Sequence, residues 1–255
     1  MTRAFGKRVT QSPGCAPLLR LLHEANESAW SRWTDAEAGF LGAMRAFDQN
    51  FADGIANQGD NQNGKGDFFT DLICLLLQHC SQRVLGTRPR VPGLIFEAHH
   101  LDAVYPMAGP VELLIETKVL GTPKTSRNPS QQNPLGRPGS SDLDKRIKEA
   151  GLKTIDLKAE WARTEGRGEG PSSDFTTWLR RSKPSCYLLL AVRIVDDGDL
   201  RRAIRFADAA NLVMDGTGLF CYGPFEDEYV RRVVPTHVEL DRVFSRVCDF
   251  LRNLP

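Results

Sequence analysis

Asp102, Glu116 and Lys118 have the types and the spacing to hold a divalent cation beside a phosphate. Glu116 and Lys118 stand two apart within Val111-Glu112-Leu113-Leu114-Ile115-Glu116-Thr117-Lys118-Val119, a run that alternates with the period of a strand. Val111, Leu113, Ile115, Thr117 and Val119 share one face, and Glu112, Leu114, Glu116 and Lys118 share the other. Charges buried on such a strand are costly unless a cation, a partner or water compensates. Asp102 lies fourteen residues before Glu116, across the turn Pro106-Met107-Ala108-Gly109-Pro110, so the two carboxylates can come together on neighbouring strands. Two such carboxylates suit Mg²⁺, which keeps several waters and takes one or two protein carboxylates plus phosphate. Lys118 could orient the attacking water and offset phosphate charge. A cation that polarises a phosphoryl oxygen and ionises a water is sufficient for phosphodiester hydrolysis.

The elements that must position these groups follow from hydrophobic pattern. Helices are expected over residues 16–31 and from a capping box at Thr34-Asp35-Ala36-Glu37 to about Ala52. Asp67 is a plausible N-cap for a helix whose Phe68, Phe69, Leu72, Leu75, Leu76 and His79 share a face. Asp71 sits at the edge of that face. Strands are expected at about Leu94–Glu97, Leu101–Tyr105 and Val111–Val119, in an antiparallel run. Cys186 to Val195 is a near-continuous apolar run of the kind found in a central strand. A helix over Asp199 to Met214, a strand at Leu219–Tyr222 and a helix over Val238 to Leu251 complete the order. The fold class is therefore α/β, a three-layer α/β/α core around a central mixed sheet, with a helical N-terminal segment. Residues 1–66 form that segment, 67–225 the core with a basic insertion over 119–185, and 226–255 the C-terminal helix.

Net charge is only +1, so no global field announces a nucleic-acid partner. The local balance differs. Between Lys118 and Lys153 stand eight Lys or Arg against three Asp or Glu. Within this stretch Lys124, Arg127, Arg137, Lys145 and Arg146 could contact phosphates. Asn128, Gln131, Gln132 and Asn133 carry amides that can pair with base edges. The six cysteines show no C-x-x-C pair, which argues against a structural zinc site and for a reduced, cytoplasmic setting. No run of about 18 apolar residues could span a membrane, and no apolar leader follows the first basic residues.

An E-x-K tripeptide alone is common. Asp102, a gap of fourteen residues, then Glu116-Thr117-Lys118 in an apolar strand resembles the PD-(D/E)XK nuclease superfamily, which includes many type II restriction endonucleases. The resemblance implies a core of helix, three antiparallel strands, helix and strand, matched over residues 67–222. It implies that Asp102 and Glu116 bind Mg²⁺ with the Thr117 carbonyl, that Lys118 positions the water, and that an additional acid comes from the preceding helix. Asp71 is the first candidate for that acid and Asp67 the second; Glu112 is an optional extra on the strand itself. The expected activity is sequence-specific cleavage of double-stranded DNA by a homodimer. Leu101 stands where many members carry proline. Rival readings are a structure-specific repair or recombination nuclease of the same fold, a non-catalytic DNA-binding protein, and a half-exposed strand whose charges form solvated cross-strand pairs.

Overall fold

The structure, a computed structural model, describes residues 6, 9, 11–124, 135–165 and 174–254. Helix α1 (Ala16–Glu27) buries Leu18, Leu21, Leu22 and Ala25, a spacing that makes one apolar stripe. Helix α2 (Trp33–Ala52) begins earlier than its expected capping box. Asp35 stands at the third helical position and accepts from the backbone N–H groups of Ser31 (3.2 Å) and Arg32 (3.0 Å), so it, rather than Thr34, closes the helix end. Helix α3 (Lys65–Ser81) also begins before Asp67, which lies in its first turn and is not the cap. All residues from Asp67 to Leu77 are buried. A helix apolar on nearly every side must be enclosed. α3 is enclosed by α1, the sheet and a C-terminal helix.

Four short strands follow: β1 (Gly86–Thr87), β2 (Arg90–Val91), β3 (His99–His100) and β4 (Ala103–Tyr105), and then the long β5 (Leu113–Leu120). The expected strand at 94–97 is not one. Residues 90–100 form a hairpin in which β2 pairs with β3, and Leu94, Ile95 and Phe96 lie at its exposed tip. The strand that joins β4 on its outer side is β1.

Helix α4 (Leu143–Glu165) lies inside the stretch expected as an insertion, yet its Leu143, Ala150 and Leu157 belong to the buried core. A short helix α5 (Phe175–Arg181), capped by Asp174, leads into β6 (Ser185–Arg193). Helix α6 (Asp197–Ala210), strands β7 (Gly216–Phe225) and β8 (Glu228–Arg232), and helix α7 (Leu240–Asn253) complete the chain. Leu240, Val243, Phe244, Val247, Cys248 and Leu251 line the buried side of α7.

The result is a mixed α/β fold around a six-stranded sheet of order β1-β4-β5-β6-β7-β8. β5, β6 and β7 are mutually parallel, and the remaining neighbours are antiparallel. Side chains alternate between two cores. Leu113, Ile115, Tyr187, Leu189, Phe220 and Tyr222 pack with α1, α2, α3 and α7. Leu114, Cys186, Leu188, Leu190, Leu219 and Cys221 pack with α4 and α6. Each large apolar side chain fully buried in these layers contributes about 1.5–3 kcal/mol.

A disulfide joins Cys80, at the end of α3, to Cys248 in α7, 168 residues away. The expectation of six reduced thiols thus fails for these two, because their pairing is made by helix packing and leaves no mark in sequence spacing. Cys15, Cys74, Cys186 and Cys221 are free and buried. Among the described residues no helix is long and apolar enough to cross a membrane.

Candidate functional site

The site exists because β4 is short and β5 is long. β4 pairs with β5 only from Tyr105–Leu113 to Ala103–Ile115, whereas β6 follows β5 from Leu113 to Leu120. Beyond Ile115 the edge of β5 facing β4 has lost its strand partner, and an amide there needs another acceptor. Asp102, one residue before β4, supplies it: its Oδ2 accepts from Thr117 N–H at 2.8 Å. The end of one strand thereby places a carboxylate against the middle of the next.

Period-two alternation then fixes the directions. Thr117 faces α3, where its hydroxyl lies 2.6 Å from that of Thr70. Glu116 and Lys118 face the other layer. The Lys118 ammonium donates to Asp102 Oδ2 at 2.7 Å, to Glu116 Oε2 at 3.2 Å and to the Thr117 carbonyl at 2.8 Å. Asp102, Glu116, Thr117 and Lys118, singled out from spacing alone, are thus brought into one cluster. Glu116 is almost wholly buried, while the Asp102 and Lys118 side chains keep 27% and 24% of their exposure, so the cluster is open on one side. Burial disfavours the Lys118 charge, but Glu116 and Asp102 outweigh it and hold the ammonium above the usual lysine value. At neutral pH Lys118 is a cation that donates hydrogen bonds and does not accept a proton.

A residue that spacing did not indicate completes the cluster. Lys153, on α4, donates to both oxygens of Glu116 at 3.1 Å and to the His100 carbonyl at 2.8 Å. It had counted only as one charge in a basic stretch. Its alignment with Glu116 depends on α4 packing across the sheet, which spacing along the chain does not record. One turn further on, Asp156 accepts from Ile95 N–H (2.7 Å), Phe96 N–H (3.2 Å) and His99 Nε2 (2.7 Å), and so folds the hairpin beside the site. A Cβ on Gly93 would lie 1.9 Å from the Asp156 carboxylate, so only glycine fits there.

The other acids are engaged elsewhere. Asp71 accepts from the Gly6 N–H at 2.8 Å, Asp67 pairs with Arg88, and Glu112, just before β5, pairs with Lys183. Among the described residues no three His, Cys, Asp or Glu side chains gather as a metal-holding group. The oxygen donors at the cluster are therefore two carboxylates and the Thr117 carbonyl. That set fits Mg²⁺, which completes its octahedron with water and requires no all-protein cage.

Past Lys118, β5 runs into the wall of a cleft of about 720 Å³. Val119, Leu120 and Gly121 form one side, Arg137, Lys145 and Arg146 bring three cations beside the carboxylate of Asp142, and Lys65, buried on Asp48, also lines it. Asn61, Gln62 and Asn63 add amides. Arg137 is paired with Asp142 at 2.7 Å and Arg146 with Glu149 at 2.9 Å. The buried Oδ1 of Asn61 and Nε of Arg146 have no hydrogen-bond partner among the described residues. Three residues expected to touch phosphate, Arg137, Lys145 and Arg146, thus share a cleft that opens one residue beyond the cluster. Lys124 is exposed. Arg127, Asn128, Gln131, Gln132 and Asn133 lie outside the described residues.

Comparison of the chain with family models, with curated proteins and with solved structures finds no match.

Proposed function

We propose that this chain is a Mg²⁺-dependent, sequence-specific endodeoxyribonuclease of the PD-(D/E)XK kind, a type II restriction enzyme that hydrolyses double-stranded DNA as a homodimer. The observation that carries this reading is the single Lys118 ammonium shared by Asp102, Glu116 and the Thr117 carbonyl at an otherwise open strand edge. With the β2–β3 hairpin and the short α5 set aside, α3, the main-sheet strands β1, β4 and β5, α4 and β6 follow the order helix, three antiparallel-linked strands, helix, strand.

Asp102, Glu116 and the Thr117 carbonyl would hold the cation. Bound there, Mg²⁺ would supply charge stabilisation to a phosphoryl oxygen and acidity to a water. Lys118, kept protonated by its two carboxylates, would donate to the attacking water or to a phosphate oxygen and fix its approach. Arg137, Lys145 and Arg146 in the cleft beyond β5 would carry the DNA backbone, whose neutralisation makes binding salt-dependent. The Asn61 and Arg146 atoms that have no partner among the described residues support a polar ligand there. A homodimer would match a palindromic site by two-fold symmetry.

The test is cleavage of plasmid and phage DNA with Mg²⁺, beside Asp102→Ala and Lys118→Ala. Discrete bands from the wild type and intact DNA from both variants are expected. DNA bound but uncut by all three proteins, or cut equally by all three, would sink the reading.

A further inference from the structure

Lys153 has no part in the chemistry proposed above, yet its ammonium touches the same carboxylate. Both Glu116 oxygens lie 3.1 Å from its Nζ, and the His100 carbonyl holds it from a third side at 2.8 Å. The side chain keeps 24% of its exposure, the same as Lys118, so it borders the open side of the cluster. Two carboxylates and two ammoniums leave the cluster formally neutral.

A divalent cation at Glu116 needs at least one of the oxygens that Lys153 now occupies. Lys118 touches only Oε2 of Glu116, whereas Lys153 spans both oxygens, so a dication on Oε1 meets Lys153 first and repels it at contact distance. The His100 carbonyl would remain, since it belongs to the hairpin backbone that Asp156 fixes. Displaced from Glu116 but still tethered at the His100 carbonyl, the ammonium is free to face a non-bridging oxygen of a phosphodiester.

Resting on the nuclease reading, we infer that Lys153 is a second lysine of the reaction centre, held by Glu116 until a metal takes that carboxylate and then turned to the scissile phosphate. No bond is made or broken in this exchange; one ion pair replaces another. Lys153 therefore opposes metal binding and assists the reaction. A lysine that only neutralises a buried carboxylate would not combine these effects.

The experiment measures Mn²⁺ affinity, from the electron paramagnetic resonance signal of the free ion, and cleavage rate at saturating Mg²⁺. The proteins are the wild type, Lys153→Met and Lys153→Arg, each checked by thermal melting. Lys153→Met should bind Mn²⁺ roughly tenfold more tightly, because a competing charge is gone. It should nevertheless cleave about 10²–10³-fold more slowly, as when one preorganised donor is removed. Lys153→Arg, which keeps the charge, should recover part of the rate. Unchanged or weaker Mn²⁺ binding in Lys153→Met overturns the exchange at Glu116. A wild-type rate in that variant, or an arginine variant no faster than it, overturns the phosphate role. A wild type that cuts no DNA defeats the nuclease reading and the phosphate role with it, while the Mn²⁺ comparison still decides the exchange.

Discussion

Two charged clusters on this fold differ in charge balance: in one, two carboxylates meet the two ammoniums of Lys118 and Lys153, and in the other a single carboxylate meets two cations. At the open cluster two carboxylates, Asp102 and Glu116, surround Lys118, and the ammonium is held above the usual lysine value although burial works against it. At the other cluster one carboxylate, Asp48, serves two cations: Lys65 at 3.3 Å and Arg193 at 3.3 Å. There burial dominates, Asp48 offsets it only in part, and Lys65 is held below the usual lysine value. Tyr229 donates to Asp48 at 2.6 Å and accepts from Arg193 at 2.9 Å, while Lys65 reaches the Gly121 carbonyl at 3.0 Å. The three charged side chains of this second cluster are at most 4% exposed. It ties α2, α3, β6 and β8 together and is sealed. The difference is instructive: two acids beside water hold their lysine above its usual value, whereas one sealed acid shared by two cations leaves its lysine below it.

The strongest way to break this comparison is to remove the acid from each. Asp48→Ala leaves two buried cations without their carboxylate and should cost about 3–5 kcal/mol in urea unfolding. Asp102→Ala removes a partly exposed partner and leaves the Thr117 amide to water, a loss of about 2 kcal/mol, yet under the proposed nuclease function it should abolish cleavage. Equal destabilisation by both would erase the distinction between open and sealed. A smaller change is Thr70→Val, which removes the hydroxyl beside Thr117 on the far face of β5. It should cost about 1 kcal/mol by thermal melting and leave the cleavage pattern unaltered.

The smallest effect sharpens the contrast by its sign. Lys118 has a raised folded value, so its contribution is fully present below the unfolded lysine value of about 10.4 and is lost as pH climbs through the folded one. Lys65 has a lowered folded value, so the unfolded chain binds more protons in the alkaline window and stability rises with pH there. Unfolding curves of Lys65→Met below the unfolded lysine value of about 10.4, and of Lys118→Met above it, should therefore differ from the wild type with slopes of opposite sign. Slopes of the same sign would contradict the assigned environments.

Much of the open cluster was legible in advance. Alternation over Val111–Val119 separates Thr117 from Glu116 and Lys118 whatever the fold, because a strand has a period of two. The central strand at 185–193 was readable because only burial on both faces supports so long an apolar run. The Leu94-Ile95-Phe96 run misled for the same reason, as three apolar residues in a row read like a strand. Asp156, sixty residues later, draws their amides into a turn and leaves the side chains outside. Asp67 and Asp71 are legible as acids of the preceding helix from position alone, whereas their partners, Arg88 and the Gly6 N–H, are set by the tertiary structure.

The sequence by itself determined which residues could carry charge into a buried strand, and on which face. Tertiary structure decided the rest. The length mismatch between β4 and β5 placed Asp102 at Thr117, the packing of α4 brought Lys153 to Glu116, and the path of β5 into the cleft set Arg137, Lys145 and Arg146 beyond it. Local pattern fixes direction because covalent geometry repeats along the chain. Partnership between residues far apart depends on which surfaces pack, and no spacing records that.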